Sequence, residues 1–321
     1  MTNHRPKIGI LLPTRGELIY SPKEPNFQNI LDLAETIESH NYHSIWVGDS
    51  VSAKPRIEAL TTLAAVATRT KNAKLGTAVL LSGLRNPVVL AHQIATLDVI
   101  SKGRVFLGVG VGGGESKNLI TEFPACGVPY SRRADYFELG LEIMRKCWTE
   151  NNISLSNDLI TLDEITVEPK PVQKPHPPIH IAAAHFGIPI KRQLFRVAKY
   201  GDGFMSTLIT PEEYASIFEA ISKLAREMGR NPKSLGRSLY MSINLNQDKR
   251  EATQEGNDFL MKYYGYNFWA DRWGPFGLGS EVLKSIEKFT DAGVEVLVVR
   301  FAAKDQKRQL ELFTKEVYSS F

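Results

Sequence analysis

The chain has 321 residues, 43% hydrophobic and 23% charged, a balance that excludes disorder and suits one large core or two modest ones. Its 39 basic and 35 acidic residues leave a net charge of +4 with no basic block, so nothing marks a nucleic-acid or membrane surface. No apolar run approaches the roughly 20 residues of a bilayer span and the apolar segment near the start is too short for a signal peptide, so a cytoplasmic location is expected.

The first strand is expected at 7–13, KIGILLP, before a helix in which Ile30, Leu33, Ala34 and Ile37 form one apolar stripe. A strand at 43–49, a helix around 58–70, a strand at 73–81 and a helix opened by Pro87 repeat the pattern. The fourth strand, RVFLGVG at 104–110, has its partner helix delayed to about Ser131, where Phe137, Leu141, Met144 and Trp148 face one way. Two short β-prone runs and a proline-rich stretch read as a hairpin excursion before the fifth strand, PIHIAAA at 178–184. Strand six is expected at 201–206, followed by a helix with Thr210 as N-cap and Glu213 as its capping-box acid. Strand seven follows at 238–245, then a helix from about Lys249 and the aromatic-rich KYYGYNFWADRWGPFG (262–277). Ser280 is expected to cap a helix ending at Gly293, ahead of strand eight at 294–301 and a closing helix at 307–317.

Eight strand–helix units with near-continuous apolar strands are the count of a (β/α)8 TIM barrel. The expected fold is therefore a single barrel domain over 1–321, with insertions after strand four and before strand five and the aromatic-rich segment before strand eight. A doubly wound open sheet is the alternative. The two cysteines, Cys126 and Cys147, form no C-x-x-C and are expected to be small buried hydrophobes.

Gly108, Gly110 and Gly113 spell G-x-G-x-x-G after the fourth strand, the spacing of a dinucleotide turn. A dinucleotide turn also requires a helix at the third glycine and an acid ending the next strand. Neither follows: Pro124, Gly127 and Pro129 interrupt the next stretch, and Asp135 lies in a helix stripe. Two readings remain: a side-chain-free shelf at the barrel mouth on which a flat ring can lie, or a tight loop beside the insertion.

Six segments in this order and spacing resemble the bacterial luciferase-like family of flavin- and deazaflavin-dependent oxidoreductases. They are SIWVGDS (44–50), LGTAVLLSGLRNP (75–87), LAHQIATLDVISKGRVFLGVGVGGGE (90–115), CGVPYSRRADYFELGLEIMRKCW (126–148), PPIHIAAA (177–184) and GDGF (201–204). The resemblance implies an isoalloxazine-type ring at the strand C-termini, against a non-prolyl cis peptide that would join Ala78 and Val79. It also implies cofactor contacts from Gly110, Val111, Gly112, Ala183, Ala184, Gly203 and Phe204, with Asp49, Ser50, Glu115 and His185 as catalytic candidates. Amides at 184–187 would face a phosphate-bearing tail if a helix starts there. Many family members carry a histidine where this chain has Ser50, and a serine cannot replace imidazole as a general acid or base near neutral pH.

The resemblance implies FMN or the deazaflavin coenzyme F420 as cofactor and a small organic molecule as substrate. The first expectation is a monooxygenase using reduced FMN from a partner flavin reductase, and oxygen; the alternatives are F420-dependent hydride transfer and a non-catalytic flavin-binding protein. The resemblance also suggests a homodimer through the second and third helices; no nucleic-acid or membrane partner is expected. His176, His180 and His185 lack the compact spacing of a metal site, so no metal is expected. Lys191 and Arg192 either add charge near the tail or are solvated, Arg300 either reaches a phosphate or pairs with an acid, and the aromatics of 262–277 either form a lid or pack between helices.

Overall fold

The computed structural model describes residues 5–265 and 272–321. Four parallel strands come first, β1 (Lys7–Leu11), β2 (Ser44–Val47), β3 (Lys74–Leu80) and β4 (Val105–Val109). An antiparallel hairpin of β5 (Ile153–Ser156) and β6 (Thr161–Ile165) stands apart, and β7 (Ile179–Ala182), β8 (Gly203–Thr207) and β9 (Gly236–Leu245) resume the sheet. A two-residue β10 (Phe276–Gly277) runs beside β9, and β11 (Val296–Phe301) pairs in parallel with both β9 and β1. With β8 on β9, the sheet closes into an eight-stranded parallel barrel, as the alternating pattern predicts.

The helices that wrap it are α1 (Thr14–Tyr20), α2 (Phe27–Ser39), α3 (Ala59–Arg69), α4 (Pro87–Ile100), α5 (Lys117–Ala125) and α6 (Arg133–Thr149). They continue with α7 (Lys191–Tyr200), α8 (Pro211–Glu227), α9 (Lys249–Tyr264), α10 (Gly279–Asp291) and α11 (Gln306–Glu316). Local chemistry sets several starts: Asn86 accepts from the Val88 and Val89 amides ahead of Pro87, and Thr210 and Glu213 form the expected capping box. The α10 N-cap position is Leu278, so Ser280 lies inside the first turn instead of capping it. Both α1 and α5 escape the periodicity reading because each is short, and Pro124 sits in the last turn of α5, where it does not prevent the helix. Cys147 is buried as expected, whereas Cys126 is only half-buried.

Strand alternation divides the apolar residues between two cores. One set, including Ile10, Ile45, Leu75, Leu107, Ile181 and Phe204, packs with the helix stripes outside the barrel. The other, Leu11, Trp46, Phe106, Met205, Val296 and Val298, fills the lumen. Trp46 fits there because Gly9 and Gly76 on the flanking strands carry no side chain; a Cβ on either would overlap the indole. Its Nε1–H donates to Ser44 Oγ at 2.7 Å, which satisfies the buried indole. This plug forms the floor on which the barrel mouth rests.

Candidate functional site

At the C-terminal ends of β3, β4, β7 and β8 lies a cavity of about 430 Å3, within the size range of small-ligand sites. Three adjacent strand ends make one wall almost without side chains. The Ala78–Val79 peptide bond ending β3 is cis. After β4, Gly110, Val111, Gly112 and Gly113 line the cavity, Gly112 and Gly113 with φ of +71° and +104°. After β7, Ala182 and Ala183 complete the wall and Ala184 turns the chain away at φ +53°. A Cβ built on Gly110 would stand 2.8 Å from Val79 Cγ2 and 3.5 Å from the Ala182 methyl, so glycine here keeps the shelf open. The helix expected of a dinucleotide turn is absent at Gly113; α5 begins only at Lys117.

The four catalytic candidates end up in different surroundings. Asp49 is buried and already committed: Oδ1 accepts from Arg85 Nη2 at 2.9 Å, and Oδ2 accepts from Arg85 Nη1 at 2.6 Å and from the Leu81 amide at 2.9 Å. It ties the turn after β3 to the end of β2. Ser50 donates to Glu122 Oε1 at 2.7 Å and accepts from the Lys54 amide at 2.9 Å, so its hydroxyl organises the loop after β2. Glu115 is exposed on the loop before α5 and does not line the cavity. His185 does line it, at the rim, where partial withdrawal from water lowers its imidazole pKa below the ordinary value.

Among the expected cofactor contacts, Ala184 is buried and does not line the cavity, and Gly203 and Phe204 lie away from it. Phe204 points outward and stacks on Tyr214 and Phe218. Gly203, at the opposite end of β8, makes room for the His180 ring, which a Cβ there would overlap. Met205, Ser206 and Thr207, further along the same strand, take their place as cavity residues. The helix expected near 184 starts at Lys191, and the Ala184 amide is taken by Gln193 Oε1 at 2.9 Å. Arg192 pairs with Asp135 and Glu138, and Arg196 with Glu138, so neither guanidinium is free of an acid.

The sequence reading missed Arg133, Gln193, Arg196, Met205 and Tyr240, all of which line the cavity. Strand parity marks Met205 and Thr207 as inward once Phe204 is known to be outward. Arg133 has no such signal. It lies over the Tyr130 ring at 4.0 Å, and its Nε is buried without a partner beside Gly113. That orphaned donor and the open glycine shelf fit a flat ring with an anionic tail.

Arg300 is 2% exposed and, among the described residues, meets no carboxylate and does not line the cavity; it donates to Ser242 Oγ and to the Tyr264 hydroxyl. Tyr263, Tyr264 and Trp273 of the aromatic-rich segment pack around it, while Tyr266, Phe268 and Trp269 lie outside the described residues. Among the described residues no three His, Cys, Asp or Glu side chains are placed to hold a metal ion, and no helix is long and apolar enough to cross a membrane.

The sequence model of the luciferase-like monooxygenases matches residues 6–295, and the chain belongs to that family. An F420-dependent glucose-6-phosphate dehydrogenase of Amycolatopsis mediterranei is 28% identical over 90% of this chain and 93% of its own length. Two solved structures share the fold: a monooxygenase from Streptomyces bottropensis (TM-score 0.80, 22% identity, covering 98% of this chain and 99% of its own), and an F420-dependent secondary alcohol dehydrogenase (TM-score 0.79, 19% identity, covering 99% of each).

Proposed function

We propose that this chain is an oxidoreductase that seats a flavin-type ring on the shelf of Ala78, Val79, Gly110 to Gly113, Ala182 and Ala183, and exchanges a hydride between coenzyme F420 and a small organic substrate. The observation that carries it is the meeting of three side-chain-free strand ends above a closed apolar plug. When bound, the deazaflavin supplies the redox chemistry as a hydride donor or acceptor. Arg133 and the residues around Gln193 would hold the anionic tail, and Trp46 and Met205 beneath the shelf exclude water from the ring's inner face. With Asp49 and Ser50 committed to hydrogen bonds and Glu115 off the cavity, His185 is the candidate best placed to carry a proton at the rim. Relatives spanning nearly the whole chain are named for F420, which ranks this coenzyme above FMN.

The matched family is named for monooxygenases, and this supports a second reading in which reduced FMN from a separate reductase reacts with oxygen at the same shelf. Titrating the coenzyme-free protein with each coenzyme while recording absorbance separates the two. Tight F420 binding with weak FMN binding is expected; the reverse would replace hydride transfer by oxygenation. Binding of either without turnover across an alcohol, aldehyde and ketone panel would mark a non-catalytic binding protein.

A further inference from the structure

The shelf is built by β3, β4, β7 and β8, which is half of the barrel. The mouth of the other half, ringed by β9, β11, β1 and β2, carries four cations. Arg15 follows β1, Lys54 and Arg56 follow β2, and Arg300 stands on β11. Among the described residues none of the four forms an ion pair. Arg15 donates to the Tyr263 and Pro55 carbonyls, Arg56 to the Lys54 carbonyl, and Arg300 only to hydroxyls. Lys54 Nζ rests 4.8 Å from the Tyr264 ring centre. By contrast Arg85 and Arg196, similarly withdrawn from water, each meet a carboxylate.

Three of the four, Arg15, Lys54 and Arg300, share their aromatic walls. Arg15 and Arg300 lie 5.1 and 4.8 Å from the Tyr263 ring centre, and Arg300 lies 5.2 Å from that of Tyr264 beneath Lys54. Arg300 thus lies within about 10 Å of both Arg15 and Lys54, roughly a Debye length at 0.1 M salt, with low-dielectric rings between the charges. Their mutual field is visible in neighbouring groups. Burial, followed by Arg56, Arg15 and Arg300, pulls Lys54 down to about 8, although Glu122 acts in the opposite sense. Burial opposes ionisation of Tyr263, yet Arg56, Arg300 and Arg15 outweigh it and hold the phenol below its usual value. Buried cations with no counter-charge are costly unless an anion joins them.

The cluster also touches the shelf. Tyr240 lines the cavity and lies 5.3 Å from the Arg300 guanidinium. Arg56 reaches over Gly48 at the end of β2, where a Cβ would overlap its guanidinium and stand 3.7 Å from the carbonyl of Ala78 in the cis peptide. The glycine at 48 leaves Arg56 a path into the mouth beside the ring's seat.

We infer that this half of the mouth, through Lys54, Arg56 and Arg300, binds an anionic group of the substrate, a carboxylate or a phosphate ester, and holds the body of the substrate against the shelf. The inference rests on the shelf being the coenzyme seat, but the anion site itself is read without coenzyme. Lys54 and Arg56, half-buried on a loop, meet the anion; Arg300 supplies fixed charge from below, its ring cage forming the floor.

Calorimetric titration of inorganic phosphate and of benzoate, into the coenzyme-free protein and into protein saturated with coenzyme, tests this. Saturable binding of at least one anion in both forms is expected; which anion binds distinguishes a phosphate ester from a carboxylate. Lys54→Met and Arg56→Met should each weaken binding about tenfold or more, the loss of one charge-assisted contact. In the wild type the anion should also raise the tyrosinate transition seen by ultraviolet difference absorbance, and Tyr263→Phe should abolish that shift. Absence of saturable binding, binding unchanged in both cation variants, or binding lost once coenzyme occupies the shelf would overturn the inference. Failure of both coenzymes to bind would instead sink the proposed function, with the phosphate and benzoate titrations still readable.

Discussion

Glu122 gives the sharpest test of how the mouth is built. Its carboxylate is 1% exposed at the inner face of α5, and a single oxygen, Oε1, accepts from Ser50 Oγ (2.7 Å) and from the amides of Val51 (2.7 Å), Ser52 (2.8 Å) and Ala53 (3.1 Å). Oε2 is buried with no partner. Replacing Glu122 by Ala removes all four bonds. Hydrogen bonds to a charged group contribute about 1.5–3 kcal/mol each, but Val51 and Ser52 are exposed and water can replace the acid there. The net cost is then about 2–4 kcal/mol, a fall of about 3–6 °C in Tm for a chain this size. Gln keeps a carbonyl oxygen for the same donors and puts its amide where nothing was bonded, so Glu122→Gln should cost about 1–2 kcal/mol. Thermal unfolding followed by near- and far-ultraviolet circular dichroism reads both variants. Equal losses in Ala and Gln, or no loss in Ala, would show that this acid does not hold the 50–54 loop.

Three further outcomes follow from the same contacts. Gly110→Leu places a side chain on the shelf beside Val79 and should weaken coenzyme binding about 10- to 100-fold, the equivalent of about 1–3 kcal/mol of overpacking, while circular dichroism stays native; undiminished affinity would put the ring elsewhere. Arg85→Met strands the buried Asp49 carboxylate and should cost about 3 kcal/mol in denaturant unfolding, whereas Arg192→Met, at an exposed pair, should cost under about 1 kcal/mol; equal costs would contradict the burial argument. Burial holds His180 and His43 at about 4, below their ordinary 6.5, so the native state binds fewer protons between those values. Their contribution to stability is complete above about pH 6.5 and is lost as the pH falls toward about 4. Tm should therefore drop over that window, less steeply in His180→Gln, and identical slopes in the two proteins would refute the assignment.

The barrel was legible because its signals are local: each strand is an apolar run and each long helix carries its stripe within one window. The side-chain-free shelf was legible for the same reason, since Gly110, Gly112 and Gly113 sit together in the chain. Short elements such as α1 and α5 offered too few apolar positions to show a period. Phe204 was misplaced because a resemblance aligns positions without fixing which face a residue takes, and on β8 one step in register exchanges lumen for exterior, whereas Gly203 shares the parity of Met205 but stands at the far end of the strand, against His180. The cation cluster had no local signature: Arg15, Lys54, Arg56 and Arg300 come from the first, second and last barrel strands, and only closure of the barrel brings them together.

Ser50 shows how the missing histidine is better understood. Read alone, it is a lost proton carrier. In the structure its hydroxyl is one of four donors that converge on Glu122, and the bond it accepts from the Lys54 amide turns the loop so that a lysine stands over Tyr264. Glu122 belongs to α5, and α5 follows directly from the glycine loop that forms the shelf. The insertion after β4 therefore joins the two halves of the mouth: its leading residues leave the ring's seat open, and its acid fixes the loop that carries Lys54 and Arg56 on the other side. A chain that kept the histidine could place a titrating group directly after Asp49; this one spends the position on architecture and sets its charge four and six residues later.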